Sequence, residues 1–190
     1  FIKKLKKYSL TFKNLRKNQN LLKYLKNKKF YAIYTAFGYK LNQEILQSNQ
    51  NDLKYLISPT TGIDHIDLNF CKKNKIKVLT LKNEKNFLKN IYSSSEFAFL
   101  MILAINKNFY QSIHDVKSKK KWRRDFYIGN DLFNKNIGIL GFGRIGKKIA
   151  KYAKAFGMRV KVFDKNKKNI KKNMLAQSIK DLFLISNIVV

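Results

Sequence analysis

The sequence is short of the residues that cross-link a chain, break it or acidify it. Cys71 is its single cysteine, so no internal disulfide can form, and a reducing cytoplasmic setting is the simplest reading. The thiol itself is expected to be an inert helix residue. No apolar stretch approaches the roughly 18 to 20 residues that a membrane span requires. The longest candidate, Phe97 to Ile105, is too short, and no secretory signal opens the chain. Two histidines and one cysteine make no cluster with metal-ligand spacing, and no metal is expected. Acidic residues number 11 against 41 Lys and Arg, a formal net charge of +30.

That excess of cations invites a nucleic-acid partner, because clustered Lys and Arg bind phosphate by releasing counterions. The composition argues otherwise. There are 36 Lys but only 5 Arg, together with 21 Asn and 20 Ile, the pattern that A/T-rich codons produce. Nucleic-acid surfaces favour the bidentate fork of Arg, and here the lysines are scattered along the whole chain. A solvated surface is expected, with no nucleic-acid or membrane partner. At 45% apolar and 14% aromatic over 190 residues, the chain can fill one sizeable core or two small ones.

Helical and strand-like patterns alternate. Apolar residues at Leu15, Leu21, Leu22 and Leu25 mark a helix over Asn14 to Leu25, and Phe30 to Phe37 reads as a strand. A short helix at Asn42 to Gln47 and a buried strand at Leu53 to Ile57 follow. The loop Ser58-Pro59-Thr60-Thr61-Gly62 then leaves that strand and holds the only proline. Asp67 is the expected N-cap of a helix through Lys73, Asn74 the expected left-handed turn after it, and Ile76 to Leu81 the next strand. This alternation predicts an α/β fold with parallel sheets. A second unit is expected from Ser93, where a serine caps an apolar helix over about Glu96 to Ile105 that should be buried between layers. Lys107 to Asp131, with the only tryptophan at Trp122, reads as a helix plus an extended arm.

The most informative stretch begins at Asn136. A buried strand, Asn136 to Leu140, runs directly into Gly141-Phe142-Gly143-Arg144-Ile145-Gly146, a G-x-G-x-x-G at a strand-to-helix junction. Gly141 permits the tight turn, Gly143 leaves room for a pyrophosphate, and Gly146 lets the helix pack close to the strand. An anion is favoured at the free N–H groups near Arg144 and Ile145. Ile145, Ile149, Tyr152, Ala153 and Phe156 share one face of the following helix, which Gly157 closes. Met158 to Phe163 reads as a second strand ended by Asp164, eighteen positions after Gly146, where a carboxylate can bond ribose hydroxyls and favour NAD over NADP.

From about Leu53 to Val190 the sequence resembles the D-isomer-specific 2-hydroxyacid dehydrogenases. The likeness rests on Thr61-Gly62-Ile63-Asp64-His65-Ile66-Asp67, the Glu96 helix, Trp122, and Asn136 to Asp164 with its Ala155-Phe156-Gly157-Met158 segment. Ser95-Glu96-Phe97 stands where relatives commonly have Ala-Glu-His, and Lys107 where an Arg is frequent. The resemblance implies a flavodoxin-like substrate domain over residues 1–92 and a Rossmann NAD-binding domain over residues 93–190, both incomplete. It implies hydride exchange between NAD and a small 2-hydroxy or 2-keto acid, with dimerisation of the full-length protein through the NAD domain. By carry-over, Thr61, Gly141, Gly143, Arg144, Ile145, Gly146 and Asp164 bind the cofactor. Thr60, Thr61 and Gly62 hold the substrate carboxylate by their backbone.

The family's catalytic Arg and His–Glu pair are expected beyond Val190, so no catalytic residue is assigned within these 190 residues and no turnover is expected of them alone. His65 and His114 are expected to be structural or surface residues. A start without Met and a close on the strand-like Asn187 to Val190 suggest incompleteness at both ends. The competing expectation is an NAD-binding module without catalysis, resembling the corepressors related to this family.

Overall fold

The computed structural model describes residues 21–26, 29–35, 39–49, 51–119, 124–168 and 170–190. The described residues divide into two compact units between Leu88 and Lys89. Most of the helix expected over Asn14 to Leu25, the end of the strand expected to reach Phe37, and Trp122 lie outside the described residues.

The first unit alternates helices and strands as expected through α1 (Leu21–Lys26), β1 (Ala32–Tyr34), α2 (Gln43–Gln47), β2 (Tyr55–Ser58), α3 (Leu68–Lys73) and β3 (Lys77–Thr80), and adds a short helix that was not expected, α4 (Lys85–Lys89), whose last residue falls past the division. Its strands form one parallel sheet in the order β1-β2-β3, with Leu56 of β2 opposite Ile33 and Val78. A central parallel strand is buried on both faces, and Leu56 with Leu41, Leu46, Leu53, Ile66, Phe70, Cys71 and Ile76 forms the core.

Local signals set the helix ends. Asn42 caps α2 by accepting from the Ile45 N–H, and Asp67 caps α3 by accepting from the Phe70 N–H at 2.9 Å. The left-handed residue after α3 is Lys75 (φ 55°), not Asn74 (φ −97°). The reason is a Schellman closure: Lys75 N–H donates to Lys72 and Ile76 N–H to Cys71, which puts the positive φ one residue beyond the C-cap. Asn74 instead donates from its side chain to the Phe70 carbonyl at 2.9 Å.

The second unit comprises α5 (Ser93–Asn106), α6 (Phe109–Lys119), a 3₁₀ turn (Arg124–Tyr127), β4 (Asn136–Leu140), α7 (Arg144–Ala155), β5 (Arg159–Phe163), a 3₁₀ turn (Lys172–Met174), α8 (Ile179–Ile185) and β6 (Ile188–Val189). Its sheet is parallel in the order β5-β4-β6. A further parallel bridge joins Leu175 to the outer side of β5 at Val162. Counting that bridge as a rudimentary strand, the order is 3-2-1-4, the doubly wound arrangement whose direction reverses between β4 and β6. Ligands of such sheets sit outside the carboxyl ends of the strands at that reversal, here where Leu140 gives way to Gly141.

Ile137 and Ile139 of β4, Val160 and Val162 of β5, Ile149, Ala150 and Ala153 of α7, and Phe99 and Ile102 of α5 build this core. Two expectations need correction. No serine side chain caps α5; it begins at Ser93, and Ser95 turns its hydroxyl back to the Tyr92 carbonyl at 2.6 Å. Nor is α5 buried all round, since Phe97 is 64% and Ile105 71% exposed. Only the face carrying Ser95, Phe99 and Ile102 is covered. On α7 the buried stripe is centred on Gly146, Ile149, Ala150 and Ala153, while Ile145 and Phe156 lie at its exposed margins.

Candidate functional site

The three fingerprint glycines differ in what a side chain would meet. Gly141 has φ +99°, a conformation costly for any residue with a Cβ. A Cβ on Gly146 would collide with the Gly141 carbonyl and crowd Ile139, so that glycine is needed for α7 to lie close against β4. Gly143 is neither strained nor crowded. Its φ of −76° suits any residue, and a Cβ there would meet nothing within 4 Å. Among the described residues nothing requires a glycine at 143, so what glycine leaves open is space for something else.

Gly143 is also the N-cap of α7 and offers no capping side chain. The first main-chain bond of the helix runs from Lys147 N–H to Gly143 O. Among the described residues, nothing accepts from the N–H groups of Gly143, Arg144 or Ile145. Three unsatisfied donors at the positive end of a helix, beside an open cradle, suit a phosphate. The Arg144 side chain is engaged elsewhere: its Nη1 donates to the Ile91 carbonyl at 3.0 Å. Lys148, one turn along, donates to the Lys89 and Ile91 carbonyls and lies 3.0 Å from the Tyr92 ring centre. The spacing of the motif gave no hint of this anchor.

Asp164 follows β5 and reaches back to the glycine loop. Its Oδ2 accepts from the Phe142 N–H at 2.5 Å and its Oδ1 from the Asn166 N–H at 2.7 Å. These two donors, Phe142 first, hold its carboxyl below the usual aspartate range, so it is an anion at neutral pH. The acid expected to face ribose therefore also ties down the loop that would face pyrophosphate.

In the first unit the loop after β2 is organised around buried hydroxyls. Ser58 and Thr60 are buried while Thr61 and Gly62 are exposed. Thr60 Oγ1 donates to the Gly62 carbonyl at 2.6 Å, and Ser58 Oγ lies 2.8 Å from Thr60 Oγ1. Among the described residues, nothing accepts from the N–H groups of Thr61, Gly62 or Ile63. Thr60 therefore uses its side chain within the loop, and successive main-chain N–H groups left without an acceptor are of the kind that can bind an anion. His65 Nε2 is 3.5 Å from Ser58 Oγ. His114, exposed on α6, has Nδ1 3.4 Å from Asp115 Oδ1 and from Ser118 Oγ. Ser58 was not singled out from sequence, because only the fold brings it to residues two and seven positions away. Among the described residues, no group of three or more His, Cys, Asp or Glu could hold a metal ion, and no helix is long and apolar enough to cross a membrane.

Comparison with known proteins agrees with this geometry. Residues 1–84 match the catalytic domain, and residues 99–190 the NAD binding domain, of D-isomer specific 2-hydroxyacid dehydrogenases. The chain is 34% identical over 135 residues to a D-3-phosphoglycerate dehydrogenase of Bacillus subtilis (strain 168), covering 71% of this chain and 24% of that protein. It is 31% identical over 144 residues to a glyoxylate reductase of Pyrococcus furiosus, covering 73% of this chain and 41% of that one. It therefore spans less than half the length of either curated relative. The D-lactate dehydrogenase of Aquifex aeolicus, solved with NAD and lactic acid, superposes with a TM-score of 0.75 at 26% identity, over 99% of this chain and 56% of that one. With both domain models matched in order and the glycine cradle, helix and acid in place, the chain belongs to the D-isomer specific 2-hydroxyacid dehydrogenase family.

Proposed function

We propose that the protein is an NAD-dependent oxidoreductase that interconverts a D-2-hydroxy acid and its 2-keto acid, with residues 93–190 cradling the dinucleotide and residues 1–92 receiving the acid. The observation that carries this reading is the vacant Cβ space at Gly143, next to three unsatisfied N–H donors. The pyrophosphate would rest against Gly141, Gly143, Arg144 and Ile145, with Gly146 giving the close approach of α7. Asp164 would accept from ribose hydroxyls while disfavouring a 2′-phosphate. The bound nicotinamide supplies or accepts the hydride. The loop of Thr60, Thr61 and Gly62 would hold the carboxylate through its main chain, with Thr61 also facing the cofactor.

Neither histidine is assigned to proton transfer here. His65 faces Ser58, and His114 sits with Asp115 and Ser118 on an exposed helix. A homodimer is supported by the exposed Phe97, Leu100, Met101 and Ile105 of α5, too much apolar surface on one helix for water. A reducing cytoplasm suits the lone, buried Cys71. The test is to express the intact polypeptide that carries this sequence, titrate NADH and NADPH by calorimetry, and follow NADH consumption with glyoxylate, hydroxypyruvate and pyruvate. Saturable NADH binding and turnover of at least one keto acid are expected. Absence of NADH binding overturns the cofactor reading; binding without turnover of any keto acid overturns the enzymatic one.

A further inference from the structure

We infer that His65 is a positioning residue, acting through Ser58 and Thr60 to set the peptide plane that presents the Ile63 N–H to the substrate carboxylate. The inference rests on the reading that this loop receives that carboxylate. Hydroxyl chemistry fixes a direction. Thr60 has one hydroxyl proton, and it goes to the Gly62 carbonyl at 2.6 Å. The 2.8 Å contact between Thr60 Oγ1 and Ser58 Oγ must therefore be donated by Ser58. Ser58 Oγ is then left with lone pairs alone, and the group facing it at 3.5 Å is His65 Nε2. That nitrogen must carry a proton. The chain of donation runs from His65 to Ser58, to Thr60, to the Gly62 carbonyl.

Burial keeps water from rewriting these bonds, since Ser58 is 1% and Thr60 8% exposed. Their consequence lies in the next peptide. No peptide bond of the described residues is cis, and in a trans peptide the C=O and the N–H point in opposite directions. Holding the Gly62 carbonyl toward buried Thr60 turns the Ile63 N–H the other way. That N–H joins those of Thr61 and Gly62, none of which meets an acceptor among the described residues. Three donors on one short loop at the carboxyl end of a parallel strand form the anion-binding arrangement, and the buried chain keeps them aimed.

The experiment compares variants of the intact polypeptide in KM for the keto acid, kcat and Kd for NADH. Thr60→Val and His65→Leu should each raise KM about tenfold, the size of one hydrogen bond to a charged group. kcat should stay within about twofold, because carboxylate binding is shared by ground and transition states, and NADH affinity should not change. Thr60→Ser and His65→Gln, which keep a hydroxyl and an amide donor in place, should restore KM. Ile63→Pro deletes the N–H itself. If Ile63→Pro raises KM while Thr60→Val and His65→Leu leave it unchanged, the positioning role is overturned and the carboxylate reading stands. If none of the three moves KM, the carboxylate reading falls and takes this inference with it. Nitrogen-15 shifts of the His65 ring supply a measurement free of turnover: a protonated Nε2 is expected, and a neutral ring protonated only at Nδ1 overturns the direction of the chain.

Discussion

Replacing Gly143 by alanine should weaken dinucleotide binding while leaving the fold almost untouched, and Gly146→Ala should do the reverse in stability. At 143 the backbone angles (φ −76°, ψ −158°) are ordinary for alanine, and the added methyl meets nothing within 4 Å. Two small terms oppose one another. Alanine is a poorer N-cap than glycine by up to about 1 kcal/mol, and it stiffens the unfolded chain, which stabilises by about 0.4–1 kcal/mol. The net change is within about 1 kcal/mol, or a shift of roughly 2–4 °C in Tm for a chain of this length. The methyl would occupy the space assigned to the pyrophosphate, so NADH should bind about 10- to 100-fold more weakly, a loss of about 1.4–2.7 kcal/mol. At 146 a methyl would strike the Gly141 carbonyl, a main-chain atom that cannot swing aside. Forced overpacking of that kind costs about 1–3 kcal/mol. Calorimetric melting and NADH titration of both variants separate the effects. NADH affinity of Gly143→Ala within twofold of the parent, or a Tm loss equal to that of Gly146→Ala, refutes the assignment of the space at 143 to a ligand.

Three further outcomes follow from the bonds described. The carboxyl of Asp164 is held low by the Phe142 N–H and then the Asn166 N–H, so its folded pKa lies below the unfolded value of about 3.9. The stabilisation it gives the loop is complete above that unfolded value and is lost as pH falls through the folded one. The Phe142 amide resonance should therefore titrate with a midpoint below about 3.9, and a midpoint above it would contradict the bond. Burial, reinforced by Asp67, pushes the Cys71 thiol up to about 11, so native protein near neutral pH should resist alkylation and unfolded protein should react. Rapid labelling of the native form would show the thiol to be accessible. Asn49 accepts from the Phe30 N–H at 2.9 Å and donates to the Leu25 carbonyl at 3.2 Å. Asn49→Ala strands both groups and should cost about 1–3 kcal/mol in denaturant unfolding, and a change below about 0.5 kcal/mol argues against that role.

Much of the fold was legible because local chemistry and global architecture agree. Asp67 caps a helix where its side chain predicts it, Gly157 closes α7 at φ +71°, and each expected strand among the described residues is present. The misreadings came where two local rules compete or where a neighbour decides. Asn74 tolerates positive φ, but the Schellman closure needs it one residue later, and Lys75 pays the conformational cost. The serines at the start of α5 are good caps in isolation, yet Ser95 is buried and bonds backward to Tyr92. The apolar composition of α5 suggested burial on every side, whereas in this chain only one face is covered.

The candidate site divides along the same line. Spacing alone singled out Gly141, Gly143, Gly146 and Asp164 as candidates, because each depends on the turn from one strand into one helix and on the end of the next strand. Spacing could not rank them: three glycines read alike, and only the atoms around each separate strain at 141, collision at 146 and open space at 143. Contacts between distant residues were invisible. Arg144 and Ile91 are 53 positions apart, and Asp164 and Phe142 are 22 apart. The second of these alters how cofactor choice should be approached. If Asp164 served the ribose alone, removing its charge would simply favour a 2′-phosphate. Since it also fixes the Phe142 N–H, a substitution that removes the acceptor loosens the glycine loop on which either dinucleotide depends. A shift toward NADP is therefore better sought by replacing Lys165, Lys167 or Lys168 on the exposed turn with arginine, whose fork pairs bidentately with a phosphate, than by removing the acid.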